Sequence, residues 1–248
     1  MIYTSIGLIV GIIMGLTGAG GALISIPLFM NLLGTSLKEA TVLSLVAVVF
    51  GTAVNLLGQI SKVNKKIVII LSTAGAVSNY VTLPLKSGTP EVVIAGLLTV
   101  IGIFSVMSVW SKNKNNIVEK EETYVAQKAL LAGTLLGFIT TLTGLGGGVI
   151  LVPILIKIFG KKYQEALPTS LATILLISLT SFIFQLKTAM SLITYYQLAF
   201  IGGGAVMSYF TLKLLLSKIK EAGLLQIRRV IFTLVSAYSV LSVIIKTL

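Results

Sequence analysis

The sequence predicts an all-α polytopic membrane protein with two inverted repeats, each a glycine-broken hairpin plus three transmembrane helices. Of its 248 residues, 56% are hydrophobic and only 10% are charged, whereas an ordinary soluble domain has about 25% charged residues. The mean hydropathy is +1.04, and a soluble fold of this size could not cover so much apolar surface. The composition therefore excludes a soluble enzyme, a nucleic-acid-binding domain and a disordered chain. The other two observations are a series of long apolar segments and a duplication of the chain.

Eight apolar segments follow one another along the chain. They are A, 2–33; B, 40–60; C, 67–85; D, 91–110; A′, 129–159; B′, 166–186; C′, 192–216; and D′, 227–245. Six have the ~20 residues of one membrane-spanning helix, whereas A and A′ are longer and carry a glycine cluster near their middle. Segment A lacks a basic region and a small-residue cleavage site, so we do not expect a cleaved signal peptide. The polar stretch 111–125 predicts a linker between an N-terminal repeat, 1–110, and a C-terminal repeat, 126–248.

The two halves match when the chain is shifted by 126 residues. Thr17 then coincides with Thr143, Pro27 with Pro153, and several glycines of the first cluster coincide with glycines of the second. Shared apolar composition does not explain a matched proline or a matched Thr-Gly-x-Gly-Gly. Duplicated halves are typical of secondary transporters.

The distribution of Lys and Arg selects the topology, because cytoplasmic loops carry an excess of both. If A and A′ each crossed once, the two sides of the membrane would carry 9 and 10 basic residues. If each folds back as a hairpin, the two sides carry 4 and 15. The bias predicts hairpins, inverted repeats, a cytoplasmic linker and both termini on the outside. The membrane is expected to be the cell membrane, plasma or inner.

The two glycine clusters are the strongest candidates for a binding site. Non-helical backbone inside a membrane is tolerated only when it is buried in protein or lines a polar cavity. Glycine permits positive φ and a close approach to the backbone, and the unpaired N–H groups that open the following helix attract an anion. A tight hairpin tip without a ligand is the alternative. A dinucleotide fingerprint is excluded, because neither cluster completes G-x-G-x-x-G.

Polar side chains of B and B′ supply further hydrogen-bond donors. Ser44 and Asn55 lie on roughly one face of helix B, and hydroxyls and amides there could bind an anion or bond between helices. The predicted substrate-binding residues are Thr17, Gly18, Gly20, Gly21, Ser44, Asn55, Thr143, Gly144, Gly146, Gly147, Gly148, Thr169, Ser170 and Gln185.

Charged side chains are nearly absent from the apolar segments. Glu39 and Glu165 stand at the mouths of B and B′, where an acid stabilises the helix dipole or serves as a gate or proton relay. We expect no Lys or Arg in the binding cavity, so that neutral donors and helix dipoles would hold the anion.

The residue types that are missing narrow the function. The chain has no Cys and no His, which removes thiolate catalysis, the commonest metal ligand and the usual general base. We therefore expect no enzyme activity, no metal site and no cofactor. The basic residues are scattered over short loops, which does not favour nucleic-acid binding. The expected partners are a small anion and the lipid bilayer, and the oligomeric state stays open.

The motifs resemble those of the sulfite exporter TauE/SafE family of membrane permeases. The second cluster carries the resemblance, with Thr143-Gly144-Leu145-Gly146-Gly147-Gly148, Pro153 and Ala166-Leu167-Pro168-Thr169-Ser170-Leu171. The first copy departs from the pattern, because Ala22 replaces a glycine and Leu43 replaces the threonine before Ser44. The resemblance implies transport of sulfite, sulfonates or related anions, which we expect to occur by alternating access. An anion channel and a non-transporting membrane assembly protein are the alternatives.

Overall fold

The computed structural model describes residues 1–17, 21–110, 122–192, 194–216 and 221–247. These residues form eleven α-helices and one short 3-10 helix, Ile60–Lys62, with no strand among them. The predicted all-α class is therefore confirmed. The α-helices are α1 (Ile2–Thr17), α2 (Gly21–Leu33), α3 (Leu37–Leu57), α4 (Lys65–Gly88), α5 (Glu91–Trp110), α6 (Glu122–Thr143), α7 (Gly148–Lys157), α8 (Tyr163–Phe184), α9 (Leu186–Leu192), α10 (Tyr195–Leu216) and α11 (Glu221–Thr247).

The helices follow the predicted apolar segments closely. Segments B, C and D correspond to α3, α4 and α5, and B′, C′ and D′ correspond to α8, α10 and α11. Two differences are the short helix α9, which has no predicted counterpart, and the start of α6 at Glu122, inside the predicted linker. Within the described residues, four helices have the length and composition to cross a membrane, or five if α9 and α10 form one bent span.

Segments A and A′ each form two helices, α1 and α2 before and after residues 18–20 in A, and α6 and α7 before and after the 144–147 turn in A′. In A′ the two helices are unequal, because α6 has 22 residues and α7 only 10. Helices α1 and α2 have 16 and 13 residues, or about 24 and 20 Å at 1.5 Å per residue. Neither reaches the ~30 Å thickness of the hydrocarbon core. The interruption is the one that the glycines predict.

The chain folds back on itself at both breaks. A Cβ atom added at Gly21 would lie 2.5 Å from the carbonyl oxygen of Val10, and one added at Gly147 would lie 2.6 Å from Cδ2 of Leu136. Each pair is 11 residues apart, which in a straight helix would mean a separation of about 16 Å. Both A and A′ are therefore reversals of the chain rather than single continuous helices.

Small residues let the first helix of each half pack closely against a helix of the other half. A Cβ added at Gly7 on α1 would lie 2.1 Å from the carbonyl oxygen of Ile201 on α10. One added at Gly133 on α6 would lie 2.5 Å from the carbonyl oxygen of Leu71 on α4. This is the close helix–helix contact that G-x-x-x-G spacing favours in membranes. The two halves are consequently interlocked, while the inverted relation between them stays a prediction.

Helices α3 and α8 form the centre of the molecule and are buried over most of their length. They run antiparallel, because the N–H of Asn64, just beyond the end of α3, donates to Oγ1 of Thr169 near the start of α8 at 3.1 Å. The outer helices expose large apolar side chains, including Val77, Leu131 and Phe210. Such an exterior suits contact with lipid.

Candidate functional site

The second glycine cluster forms a sharp, buried turn between α6 and α7, which we call the 144–148 tip. Gly144, Gly146 and Gly147 have φ values of 68°, 66° and 66°, in the left-handed region where a side chain is strained. Gly147 is the N-cap residue of α7, and no side chain of the described residues caps it. The tip needs glycine at these three positions for its backbone path.

The 144–148 tip is wedged between the two central helices. Oγ of Ser44 on α3 lies 2.8 Å from the carbonyl oxygen of Gly144, and a Cβ added at Gly144 would meet the carbonyl oxygen of Thr41 at 2.0 Å. On the other side, a Cβ added at Gly146 would meet Oγ of Ser178 on α8 at 2.6 Å. The tip therefore contacts the middle of both central helices and is buried from solvent.

The tip joins the carboxyl end of α6 to the amino end of α7, and the amino end is the part that favours an anion. The amino end of α7 carries unpaired N–H groups and the positive end of the helix dipole. Within the turn, the N–H of Leu145 makes a long contact of 3.4 Å to Oγ1 of Thr143. Backbone donors of this kind can hold an oxyanion without a charged side chain.

Ser178 on α8 faces the 144–148 tip, and the sequence analysis did not include it in the site. Its side chain is fully buried, and its Oγ is one of three buried side-chain oxygens in the described residues without a hydrogen-bond partner. Leaving a buried hydroxyl unpaired costs about 1–3 kcal/mol, so an unpaired group in a native structure requires an explanation. A repeat-based clue existed, because Ser178 lies 126 residues after Thr52 on α3.

The predicted hydroxyl donors are buried, but most are already engaged. Thr17 and Thr143 donate to the carbonyl oxygens of Ile13 and Ile139, both at 2.7 Å. Ser170 donates to the carbonyl oxygen of Leu167 at 2.8 Å. In the present conformation these protons are used inside their own helices. Gly18 and Gly20 lie outside the described residues, while Gly21 is buried at the start of α2.

The predicted amide donors lie at opposite ends of the α3–α8 pair rather than together. The amide nitrogen of Asn55 donates to the carbonyl oxygens of Gly11 and Gly51, at 3.1 and 2.7 Å. At the other end, the amide nitrogen of Gln185 donates to Oγ of Ser181 at 3.0 Å. The two side chains are separated because α3 and α8 are antiparallel and each amide lies near the carboxyl end of its helix.

A buried lysine at the Gln185 end contradicts the expectation that no cation approaches the predicted site residues. Lys86, near the end of α4, is only 8% exposed. Its Nζ donates to Oε1 of Gln185 at 2.7 Å. The sequence assigned Lys86 to a loop, because the predicted segment C ends at residue 85. The structure extends α4 to Gly88 and turns the lysine inward.

A cavity of about 400 Å³ opens at the Asn55 end. Its lining residues are Gly15, Asn55, Gly58, Gln59, Tyr209, Leu212 and Lys213. Gly15 belongs to the same α1 helix as Thr17, two residues before the first glycine cluster. The cavity thus leads from one end of the molecule toward the break between α1 and α2.

The two glutamates lie at the amino ends of the central helices. Glu39 forms a capping box with Ser36: its carboxylate accepts from the N–H of Ser36 at 2.9 Å. Glu165 is exposed and forms an ion pair with Lys161 at 3.6 Å. Both contacts fit the helix-end role, and the gate or proton-relay role stays a prediction. In the described part of the chain, no group of three His, Cys, Asp or Glu could hold a metal ion.

Comparison with known proteins gives a single finding. The model of the family described as "Sulfite exporter TauE/SafE" matches residues 3–241. No curated protein and no solved structure matches the chain. The match covers both glycine clusters, both central helices and nearly every described helix.

Proposed function

Because the chain belongs to the sulfite exporter TauE/SafE family, a family of membrane transporters, we propose that it is a permease for small sulfur oxyanions such as sulfite or sulfonates. Transport proceeds by alternating access, with the two halves rearranging around a site between the central helices. The protein resides in the plasma or inner membrane, with both termini outside. Repeats 1–110 and 126–248, joined by a cytoplasmic linker at 111–125, supply one hairpin each.

One observation carries this proposal: the buried 144–148 tip opens helix α7 between α3 and α8. Its three left-handed glycines place no side chain of their own over the backbone N–H groups. Several such donors suit a small anion with more than one acceptor oxygen. Binding of a cation beside the amino end of α7 is unfavourable, because the amino end of a helix repels positive charge.

Flux through the purified protein in liposomes tests the function. We expect saturable uptake of radiolabelled sulfite, competition by sulfonates and little competition by acetate. Accelerated exchange against a preloaded anion separates a permease from an anion channel, which would show no counterflow. Absence of flux for every sulfur oxyanion in the panel would favour an assembly role and overturn the proposal.

The hydroxyl of Ser178 is expected to bind the transported anion. Ser178→Ala should raise the apparent KM for sulfite about 10-fold or more, because a hydrogen bond to a charged group contributes about 1.5–3 kcal/mol. Folding should not suffer, since the hydroxyl has no partner among the described residues. Ser72→Ala is the matched control, because the buried Ser72 hydroxyl already donates to the carbonyl oxygen of Val68 at 2.7 Å. An unchanged KM in Ser178→Ala would remove this hydroxyl from the site.

The proposed topology predicts which positions a membrane-impermeant thiol reagent reaches. The natural chain has no cysteine, so each introduced cysteine is the only target. Asn115→Cys should react from the cytoplasmic side alone. Two terminal variants should react from the outside alone: Leu248→Cys, and Met1→Cys with a new start codon before it. Labelling of either terminus from the cytoplasm would contradict the hairpin topology and the inverted repeat with it.

A further inference from the structure

The 400 Å³ cavity has the lining of an anion vestibule. Lys213 provides an exposed positive charge at its wall, while Gln59 and Tyr209 provide an amide and a phenol. These groups can donate hydrogen bonds to an oxyanion. The buried side chain of Asn55, whose repeat position is Ser181 on α8, also lines this cavity. The cavity therefore combines a cation, neutral donors and a path toward the first glycine cluster.

The opposite end of the molecule contains the same two side-chain types in a closed arrangement. Lys86 on α4 is buried and donates to Gln185 at 2.7 Å, and Ser181, one turn before Gln185, is only 1% exposed. A second lysine lies nearby: Nζ of Lys38 donates to the carbonyl oxygen of Ser87 at 3.2 Å. Burial of a charged ammonium is costly unless the group is paired and hydrogen-bonded, and ionisable residues inside membrane proteins commonly mark functional sites.

The internal repeat relates the two ends. Gln59 and Gln185 are 126 residues apart and follow the ends of the central helices α3 and α8. The lysines come from α4 and α10, which pack in the same way against α6 and α1 of the opposite half. Gly7 contacts Ile201 on α10, and Gly133, its equivalent in the repeat, contacts Leu71 on α4. Lys213 follows Ile201 by 12 residues and Lys86 follows Leu71 by 15. Lys213 therefore lies about one helical turn farther from its end of the molecule than Lys86 does. The two ends are therefore similar in composition but differ in conformation.

We propose that these are the two vestibules of one anion pathway, the Lys213 vestibule open and the Lys86 vestibule closed. Lys213 attracts a small oxyanion into the open cavity. Lys86 does the same at the other end once its bond to Gln185 breaks and the ends of α4 and α8 separate. This inference rests on the proposed function, since it assigns the entry sites of that permease. Under the proposed topology, the open vestibule faces the cytoplasm.

Accessibility of single cysteines tests the two states without any assumption about the substrate. Gln59→Cys, in the open cavity, should react rapidly with an impermeant maleimide from one side of the membrane. Ser181→Cys, a conservative change beside Gln185, should react at least ~10-fold more slowly from either side. Adding Lys86→Ala to Ser181→Cys should accelerate its labelling from the side opposite to Gln59. Equal labelling of both cysteines in the otherwise native chain, or no effect of Lys86→Ala, would overturn the proposal.

Sulfite kinetics test the role of Lys213. Lys213→Gln should raise the KM for sulfite offered from the cavity side by about 10-fold or more, because a charge-assisted hydrogen bond is lost. Lys62→Gln is the matched control: Lys62 is exposed in the 3-10 helix at the same end, and its replacement removes one positive charge outside the cavity. Equal KM values for the two variants would overturn the binding role of Lys213. Transport by the parent protein would then still stand, whereas absence of sulfite flux with the expected labelling pattern would overturn the substrate assignment alone.

Discussion

Replacement of Gly147 by alanine is expected to abolish transport, whereas the same replacement at Gly34 is expected to leave transport intact. Both glycines have nearly the same positive φ, 66° and 67°, so alanine carries a similar backbone strain of about 1–2 kcal/mol at either position. The surroundings differ. A Cβ at Gly147 would lie 2.6 Å from Cδ2 of Leu136, whereas a Cβ at Gly34 has no described atom within 4 Å. Only the Gly147 variant disturbs the amino end of α7.

Uptake of radiolabelled sulfite by liposomes with equal amounts of each variant measures this difference. A double variant, Gly147→Ala with Leu136→Ala, separates folding from binding, because it removes the atoms that the new methyl group would strike. We expect the double variant to insert and fold while still transporting poorly, because the methyl group at residue 147 remains beside the backbone N–H groups of α7 that are proposed to hold the anion. Full uptake by Gly147→Ala would show that the tip is only a turn.

The sequence predicts the backbone of the site well, because glycine and proline act through local chain geometry. The breaks in A and A′ follow from the glycine clusters, and the close α1–α10 contact follows from the spacing of Gly7 and Gly11. Both features depend on the absence of a Cβ atom, which is visible in the sequence. The reversal at each cluster follows from the distribution of basic residues, a property of the whole chain.

The side-chain chemistry of the site was less predictable, because it depends on which helices become neighbours. Lys86 lies one residue beyond a predicted apolar segment, and only the longer helix α4 places it against Gln185. Ser178 looks like the other hydroxyl residues of α8 until the tip is seen to face it. Asn55 and Gln185 were expected in one cavity, but the antiparallel packing of α3 and α8 places them at opposite ends. Pairwise contacts between distant segments leave no periodicity in the sequence from which they could be inferred.

Replacement of Thr143 by aspartate is expected to produce the second large effect, a loss of sulfite affinity of about 100-fold or more. Thr143 is fully buried at the end of α6, and its Oγ1 lies 3.4 Å from the N–H of Leu145 inside the tip. A carboxylate at this position would interact with the same backbone donors that are proposed to hold the anion. The carboxylate would therefore compete with the transported anion for these backbone donors.

The charge, rather than the change of shape, is responsible for this expected loss. Two like charges about 4 Å apart repel by about 4 kcal/mol at an effective dielectric constant of 20, which exceeds the 1.4 kcal/mol that corresponds to a tenfold change in affinity. Thr143→Asn has nearly the shape of the aspartate variant without its charge, and it also loses the hydroxyl bond to Ile139. The ratio of KM values between the Asp and Asn variants therefore isolates the electrostatic contribution. Equal KM values for the two would mean that no anion approaches the 144–148 tip, whereas a ratio of about 100 would locate the negative charge of the substrate there.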